Sequence, residues 1–297
     1  MAVSGRHIVR NNIIHDCGTG GIQGLINRES LVENNHIFNI GWQEAEFYYE
    51  TAAIKLHFTQ NCLVRGNHIH DIEAAMGIWL DAGNINSRVS HNLVYNVSCN
   101  FGGIFMEWDI RPNLVDHNLV WNCGKNGIYQ HDVDSLYVLH NIVGESKENG
   151  IMMQSNPGRK QENGELCTAK YNKVLFNILI ENTRPFSYSD TANISDHNII
   201  SSSGYKNTFD WKAWNQKGLD KNSKFIDISA SFDPSDLALE LIIKEPISKV
   251  DKSPYFEKFL GKYCPSLSTG LNCWPGTDET SSKFSVFMNQ TWPVLKK

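Results

Sequence analysis

Two acidic residues, Asp81 and Glu107, stand at the same position of a short motif that recurs along the chain. The motif reads Gly-Ile-Trp-Leu-Asp at 77–81 and Gly-Ile-Phe-Met-Glu at 103–107. Two neighbouring carboxyl groups can divide proton transfer and nucleophilic attack between them, provided that one is protonated while the other is charged. Whether these two side chains meet depends on the structural elements that carry them.

The motif belongs to one of two interleaved repeats. The first repeat aligns on an isoleucine and recurs at steps of 32, 24, 26, 24 and 23 residues, at Ile22, Ile54, Ile78, Ile104, Ile128 and Ile151. The second runs half a period out of phase and aligns on an asparagine, at Asn12, Asn35, Asn67, Asn92, Asn118, Asn141, Asn177 and Asn198. Periods of this length are typical of a solenoid.

Each period contains two short β-rich runs bounded by turn residues, which is too little chain for a βαβ unit with a long helix. We therefore predict an all-β fold, a right-handed parallel β-helix, over residues 6–204. The chain begins directly in the coil pattern, so we expect further coils N-terminal to it. Residues 205–297 lose the repeat, and we predict an irregular C-terminal segment that packs on the solenoid.

Strand alternation assigns the faces of the first repeat. The isoleucine and the residue two positions later are predicted to point inward, and the residues one and three positions after the isoleucine to point outward. An ordinary solvated face would be rich in Ser, Thr, Lys and Asn. This face instead combines aromatic rings, carboxylates, imidazoles and one lysine, as the pairs Lys55 and His57, Trp79 and Asp81, Phe105 and Glu107, Tyr129 and His131, and Met152 and Gln154.

The repeat also predicts how far apart the two carboxyl groups are. Neighbouring strands lie ~4.8 Å apart, so side chains at equivalent positions should place their carboxyl groups about 5–6 Å apart. Retaining glycosidases need about 5–5.5 Å, whereas inverting enzymes need roughly 6.5–9.5 Å. Like charge at this distance raises one pKa and would supply a general acid. The competing interpretation is that both acids are solvated surface residues, or that one pairs with Lys55.

The asparagine repeat and the histidines beside it are interpreted as structural. Stacked Asn side chains can satisfy turn backbone that a solenoid cannot leave unpaired. A metal site would need clustered ligands with carboxylate or thiolate partners, and none is evident in the sequence. We therefore predict no metal and no other cofactor, although eight histidines lie in this repeat, at 15, 36, 68, 70, 91, 117, 140 and 197.

Charge and composition restrict the partners. The net charge is −5 and there is no Lys/Arg cluster, which argues against nucleic acid and anionic membranes. No apolar run reaches the length of a membrane span. Open sheet edges are compatible with a homo-oligomer.

No signal peptide is visible, and we lean towards an extracytoplasmic location. Cys264 and Cys273, nine residues apart, are close enough in sequence that they could form a disulfide.

Several of these runs together resemble glycoside hydrolase family 120. The resemblance covers about residues 7–145 and is carried by Ala53-Ile-Lys-Leu-His57, Gly66-Asn-His-Ile-His-Asp71, Gly77-Ile-Trp-Leu-Asp81, Arg88-Val-Ser-His-Asn-Leu93, Met106-Glu107 and Leu114-Val-Asp-His-Asn118. It implies a β-xylosidase on a right-handed parallel β-helix. It also implies that Asp81 is the nucleophile, Glu107 the acid/base and Lys55 part of the substrate pocket.

The leading hypothesis is therefore a retaining exo-glycosidase that acts on a β-xyloside or a similar plant-wall oligosaccharide. In it Lys55, His57 and His131 bind sugar hydroxyls, Trp79 stacks on the sugar, and Phe105 and Tyr129 complete an apolar platform. One rival is a polysaccharide lyase or epimerase acting on uronic polymers. The other is a carbohydrate-binding solenoid without catalysis.

Overall fold

The computed structural model describes residues 1–44, 49–161, 163–202, 209–235, 237–243 and 282–287 of the 297-residue chain. Cys264 and Cys273 lie outside these residues. The described chain is almost entirely β-structure, wound as a parallel β-helix with three sheets. Parallel crossovers are nearly always right-handed, and the predicted fold class is confirmed. No helix in the described part is both long and apolar enough to span a bilayer.

Each of the first eight coils contributes one strand to each sheet, and each strand pairs in parallel with its equivalent in the next coil. The first sheet contains β1 Ala2–Gly5, β4 Ile22–Asn27, β7 Ala52–His57, β10 Met76–Asp81, β13 Gly102–Asp109, β16 Asn126–Val133, β19 Asn149–Gln154 and β22 Arg184–Tyr188. The second contains β2 Ile8–Arg10, β5 Leu31–Glu33, β8 Leu63–Arg65, β11 Arg88–Ser90, β14 Asn113–Asp116, β17 Leu136–Leu139, β20 Lys173–Leu175 and β23 Ile194–Asp196.

The third sheet is the longest. It contains β3 Ile13–Cys17, β6 His36–Ile40, β9 His68–Glu73, β12 Leu93–Ser98, β15 Leu119–Cys123, β18 Ile142–Gly144, β21 Ile178–Ile180, β24 Ile199–Ser201 and β25 Lys224–Ile226. Its last strand lies beyond residue 204, where the sequence repeat fades. A short helix, α1 Trp211–Gln216, connects β24 to β25.

The core of the solenoid is the isoleucine column that the first repeat predicts. Its six members face one another strand by strand and are fully buried, at Ile22, Ile54, Ile78, Ile104, Ile128 and Ile151. The alternation of side chains in the first sheet is therefore as predicted. Because the period of a strand is two residues, a buried isoleucine column leaves the intervening residues on the outer face.

The asparagine column is a continuous hydrogen-bonded ladder. In seven successive steps, the side-chain amide of one Asn donates to the side-chain oxygen of the Asn in the next coil at 2.9–3.1 Å, from Asn12 through Asn198. The residue before each ladder Asn has a positive φ of 53–63°, a conformation that His and Asn tolerate better than most residues. This turn position explains His91, His117, His140 and His197.

The C-terminal part packs on the outside of the third sheet. Strands β26 Ile228–Asp233, β27 Ala238–Ile243 and β28 Ser282–Phe287 form a small antiparallel sheet. Leu239 and Leu241 belong to the same buried cluster as Leu93 and Leu119. Phe232 lies against Tyr95, with ring centroids 5.1 Å apart. Apolar contact therefore holds this sheet against the solenoid.

Candidate functional site

The two acidic residues lie side by side on the outer face of the first sheet. Asp81 on β10 pairs in register with Glu107 on β13, and His57 on β7 and His131 on β16 flank them in the same row. A second row, displaced by two residues, carries Lys55, Trp79, Phe105, Tyr129 and Met152. These are the two outward rows that the repeat predicts.

Lys55 is the electrostatic partner of Asp81. Although it is a lysine, it is only 2% exposed, and its Nζ lies 3.0 Å from the Asp81 carboxylate and 2.8 Å from that of Glu50. Nζ also lies 3.0 Å from the centre of the Trp79 ring. A lysine buried this deeply needs such partners, because desolvation of an unpaired charge is costly. His57 completes the set, with Nδ1 3.4 Å from Asp81.

Glu107 has a different partner, Arg159, from the segment that follows β19. Nη1 of Arg159 donates to Glu107 at 2.6 Å and to Asp132 at 3.3 Å. The Arg159 guanidinium lies over the Trp108 ring at 4.6 Å, and Nδ1 of His131 is 3.6 Å from Glu107. The two acids are thus each held by a separate cation.

These contacts separate the two pKa values in the direction opposite to our expectation. Burial raises the pKa of Asp81, and although Lys55 opposes this, the charge of Glu107 adds to it, so the pKa lies above its ordinary value. Burial also raises the pKa of Glu107, but the neighbouring His131 and the hydrogen bond and positive charge of Arg159 outweigh it, so this pKa lies below the ordinary value. In this arrangement Glu107, the predicted general acid, is the more firmly ionised group.

The aromatic row does not offer a sugar platform, which corrects the expectation for Trp79, Phe105 and Tyr129. They are only 4%, 1% and 4% exposed. The Phe105 ring lies between the other two, with centroid distances of 5.0 and 4.9 Å. One face of Trp79 is occupied by Lys55, and the Tyr129 hydroxyl donates to Gln154 at 3.1 Å. The row instead forms an apolar wall that desolvates the two acids.

An open groove adjoins this site on the side of the first coils. Its cavity volume is about 470 Å³, within the range of small-molecule sites. It is lined by Lys55, His57 and Glu50 together with residues 2–4 and 23–25. The groove therefore extends from the N-terminal coils to Lys55 and His57, which contact the carboxylate of Asp81.

Three residues of this site were missed by sequence reasoning: Glu50, Asp132 and Arg159. Arg159 lies in an insertion between two repeats, at about 155–170, and insertions in solenoids often form loops over one face. That signal indicates the loop but not the residue. Glu50 likewise lies at the end of the insertion between Ile22 and Ile54.

Two groups of potential metal ligands also come together, contrary to the expectation that no such cluster exists. Within each group, the ligand atoms lie within 4.8 Å of one another: His36, His68 and His70 in one, and Glu50, His57 and Asp81 in the other. Burial lowers the pKa of His36 to about 4 and that of His68 to about 3, so both imidazoles are neutral at pH 7.

Comparison with known proteins supports the fold. A family model described as a right-handed β-helix region matches residues 1–109. Among solved structures, the complex of XylC with xylose aligns with a TM-score of 0.58 and 21% identity, over 81% of this chain and 41% of that one. A double mutant of the periplasmic alginate epimerase AlgG aligns with a TM-score of 0.53 and 16% identity, over 63% and 44%.

This chain thus corresponds to less than half the length of either structure. At these identities, the similarity shows a shared right-handed β-helix fold, and a fold by itself does not determine function. No curated protein matches the chain.

Proposed function

We propose that this protein is a carbohydrate-active enzyme, a retaining exo-glycosidase of the β-xylosidase type that works by double displacement. The observation that carries the proposal is the register of Asp81 with Glu107 on adjacent strands of one face. This register matches the short separation that a retaining pair needs. The resemblance of residues 7–145 to glycoside hydrolase family 120 supports the choice of sugar.

In the proposed mechanism, Asp81 attacks the anomeric carbon and forms a glycosyl ester as the leaving group departs. Glu107 first donates its proton to the leaving oxygen. It then removes a proton from the water that releases the sugar. The ion pair with Lys55 favours the charged form of Asp81 that attacks, and it opposes the burial and the charge of Glu107 that raise the pKa of Asp81. His57 and His131, half-buried at the two ends of the acid pair, are proposed to bind sugar hydroxyls.

Arg159 adds a requirement to this mechanism. Because Arg159 holds Glu107 ionised, Glu107 can donate a proton only after this contact has been loosened. Nη1 makes all the polar contacts of this guanidinium with the described residues. A substrate group that accepts from Arg159 could therefore draw it away from Glu107. We propose that Arg159 is a positioning residue that sets when Glu107 is protonated.

Hydrolysis of aryl glycosides tests the proposed function. With an aryl β-xyloside, NMR spectra recorded early in the reaction should show β-xylose as the first-formed product, with α-xylose appearing only by mutarotation. Initial formation of α-xylose would contradict double displacement. Sugar binding without any turnover of a panel of aryl glycosides would support the carbohydrate-binding rival.

Substitution of Arg159 by Gln should move the alkaline limb of the pH profile of kcat/KM to higher pH. The wild-type guanidinium lowers the pKa of Glu107. Its removal raises that pKa, so the protonated acid persists to higher pH. The measurement is kcat/KM against pH for wild type and Arg159→Gln.

Arg111→Gln is the matched control for this profile. Its guanidinium pairs with Glu165, 3.5 Å away, and both side chains are about half exposed. The profile of this variant should follow wild type. If Arg159→Gln moves the acidic limb instead, Glu107 acts as a carboxylate and the roles of the two acids are reversed.

A lyase or epimerase acting on uronic polymers is the second candidate, favoured by the cations of this face. Lys55 and Arg159 lie on opposite sides of the acid pair. Arg159 could neutralise a uronate carboxylate there, and Lys55 could exchange a proton with the sugar. The fold similarity to the alginate epimerase AlgG is compatible with this chemistry. A lyase would produce unsaturated sugars that absorb in the ultraviolet, and an epimerase would incorporate solvent deuterium without cleaving the chain.

A further inference from the structure

We propose that His36, His68 and His70 form a binding site for a divalent transition-metal ion, zinc in particular, on the outer face of the third sheet. The site lies on a different sheet from Asp81 and Glu107, and the proposal does not depend on the proposed function. The ion would join two consecutive coils of the solenoid, because β6 supplies one ligand and β9 supplies two.

Strand geometry brings the three imidazoles together. His68 and His70 are two residues apart on β9, so both side chains project from the same face. His36 pairs in register with His68 from the adjacent strand β6. Nε2 of His36 and Nε2 of His70 are 2.8 Å apart, and one ligand atom from each histidine lies within 4.8 Å of the others.

These distances are close to what zinc requires. Tetrahedral zinc binds imidazole nitrogen at about 2.0–2.1 Å, which places two ligand nitrogens about 3.3–3.4 Å apart. On zinc binding, the distance between Nε2 of His36 and Nε2 of His70 would increase slightly from 2.8 Å. The ligand nitrogen of His68 would move closer to the other two. Three histidines leave a fourth position for water, as in open zinc sites, and neutral imidazole suits zinc and its first-row neighbours.

His70 is oriented by a hydrogen bond to a carboxylate, as metal-ligating histidines commonly are. Its Nδ1 bonds to the carboxylate of Asp71 at 2.8 Å, which directs Nε2 towards His36. Ligating histidines commonly bond through their second nitrogen to a carboxylate, which fixes the tautomer and orients the ring. The hydroxyl of Tyr95 lies 3.2 Å from Nε2 of His68, so a polar group adjoins the third ligand as well.

The imidazoles of the cluster also stack, His36 on His68 at 4.4 Å and His70 on Tyr95 at 5.0 Å between ring centroids, but later coils fill these rows without histidine. In later coils the same two rows carry Leu93 and Tyr95, then Leu119 and Trp121. Those apolar residues pack against the C-terminal sheet. The three histidines lie outside the apolar cluster that packs against the C-terminal sheet. Each is partly exposed, so an ion can reach them from solvent.

The other group of ligand atoms is a poor cation site. Glu50 and Asp81 already share the ammonium group of Lys55 at 2.8 and 3.0 Å. A metal ion there would be repelled by Lys55 or would have to displace it. The histidine cluster has no such cation among its contacts in the described chain.

Calorimetric titration of the untagged full chain with zinc chloride tests the site. We expect one zinc equivalent to bind. His36→Gln and His70→Gln should each weaken that binding by about 100-fold or more, because they remove a ligand. Asp71→Asn should weaken it about 10–100-fold by releasing the His70 ring.

His15→Gln is the matched control, because His15 stacks on Phe38 of the same face but lies outside the cluster. This variant and Asp81→Asn should both bind zinc as wild type does. Absence of binding, unchanged binding in His70→Gln, or loss of binding in Asp81→Asn would each overturn the proposal.

Diffraction from the unsubstituted protein covers the case in which a histidine variant fails to fold. Crystals soaked in zinc should show an anomalous difference peak between the three imidazoles at the zinc absorption edge. A peak only elsewhere on the molecule, or no peak, would also overturn the proposal.

Discussion

Asp81→Ala should lower kcat on an aryl β-xyloside by about 10⁴-fold or more, the scale on which removal of a catalytic nucleophile acts in other enzymes. The physical reason is that the described part of the chain offers no equivalent carboxylate in its place. Glu107 occupies the neighbouring strand and has the role of acid/base, and the carboxylate of Glu50 is held by Lys55 at 2.8 Å. The measurement is kcat for the variant and wild type under saturating substrate.

Azide provides the decisive extension of this experiment. In Asp81→Ala, azide can enter the space that the carboxylate vacates and attack the anomeric carbon, so turnover should partly recover. A β-xyloside should then yield an α-xylosyl azide. A β-xylosyl azide would indicate that Glu107 is the nucleophile and that Asp81 has the other role.

A loss of fold must be separated from a loss of chemistry. Lys55 keeps Glu50 as a partner when Asp81 is removed, so we expect the unfolding midpoint of Asp81→Ala to remain near that of wild type. Glu148→Gln is the matched control, since Glu148 precedes a strand of the same sheet and pairs only loosely with Lys125, at 3.9 Å. Full activity of Asp81→Ala would show that Asp81 is not the catalytic nucleophile.

Glu107→Gln should show a loss that depends on the leaving group. Proton donation typically contributes about 10²–10⁴-fold, and it matters most when the departing oxygen is strongly basic. Cleavage of xylobiose should therefore fall by about that factor. Release of a nitrophenolate in the first step should be much less affected, because this anion leaves without protonation. Steady-state and burst kinetics with both substrates measure the difference.

The second step supplies the control for Glu107→Gln. Without a general base, the glycosyl-enzyme should accumulate, and added azide should accelerate its breakdown to a β-xylosyl azide. Equal losses with xylobiose and with the activated substrate would count against Glu107 as the acid. They would indicate that Glu107 serves mainly to hold Arg159 and His131 in place.

The parts of the site that follow from the repeat could be predicted from the sequence. In a parallel solenoid, equivalent residues stack at one strand spacing. Aligning the isoleucines was therefore sufficient to place Asp81 beside Glu107 and Lys55 beside Trp79. The asparagine ladder followed for the same reason, since one turn per coil repeats the same unpaired backbone groups.

The position of Arg159 could not be read from the sequence, because an insertion lies outside the repeat and its path depends on the surface that it covers. Its contact with Glu107 lowers the pKa of that carboxyl, whereas the role of general acid assigned to Glu107 calls for a raised pKa. Burial of the aromatic row is likewise a tertiary effect. An outward side chain can be covered by its neighbours in adjacent coils, as Phe105 is by Trp79 and Tyr129.

The sequence by itself therefore determined the fold class and the residues that share the outer face, because periodicity translates directly into strand register. Only the tertiary structure decided the direction in which the pKa of each acid is shifted and the meeting of His36, His68 and His70. Both depend on distances between atoms at the ends of side chains and on solvent exclusion. Neither of these is specified by the spacing of residues along the chain.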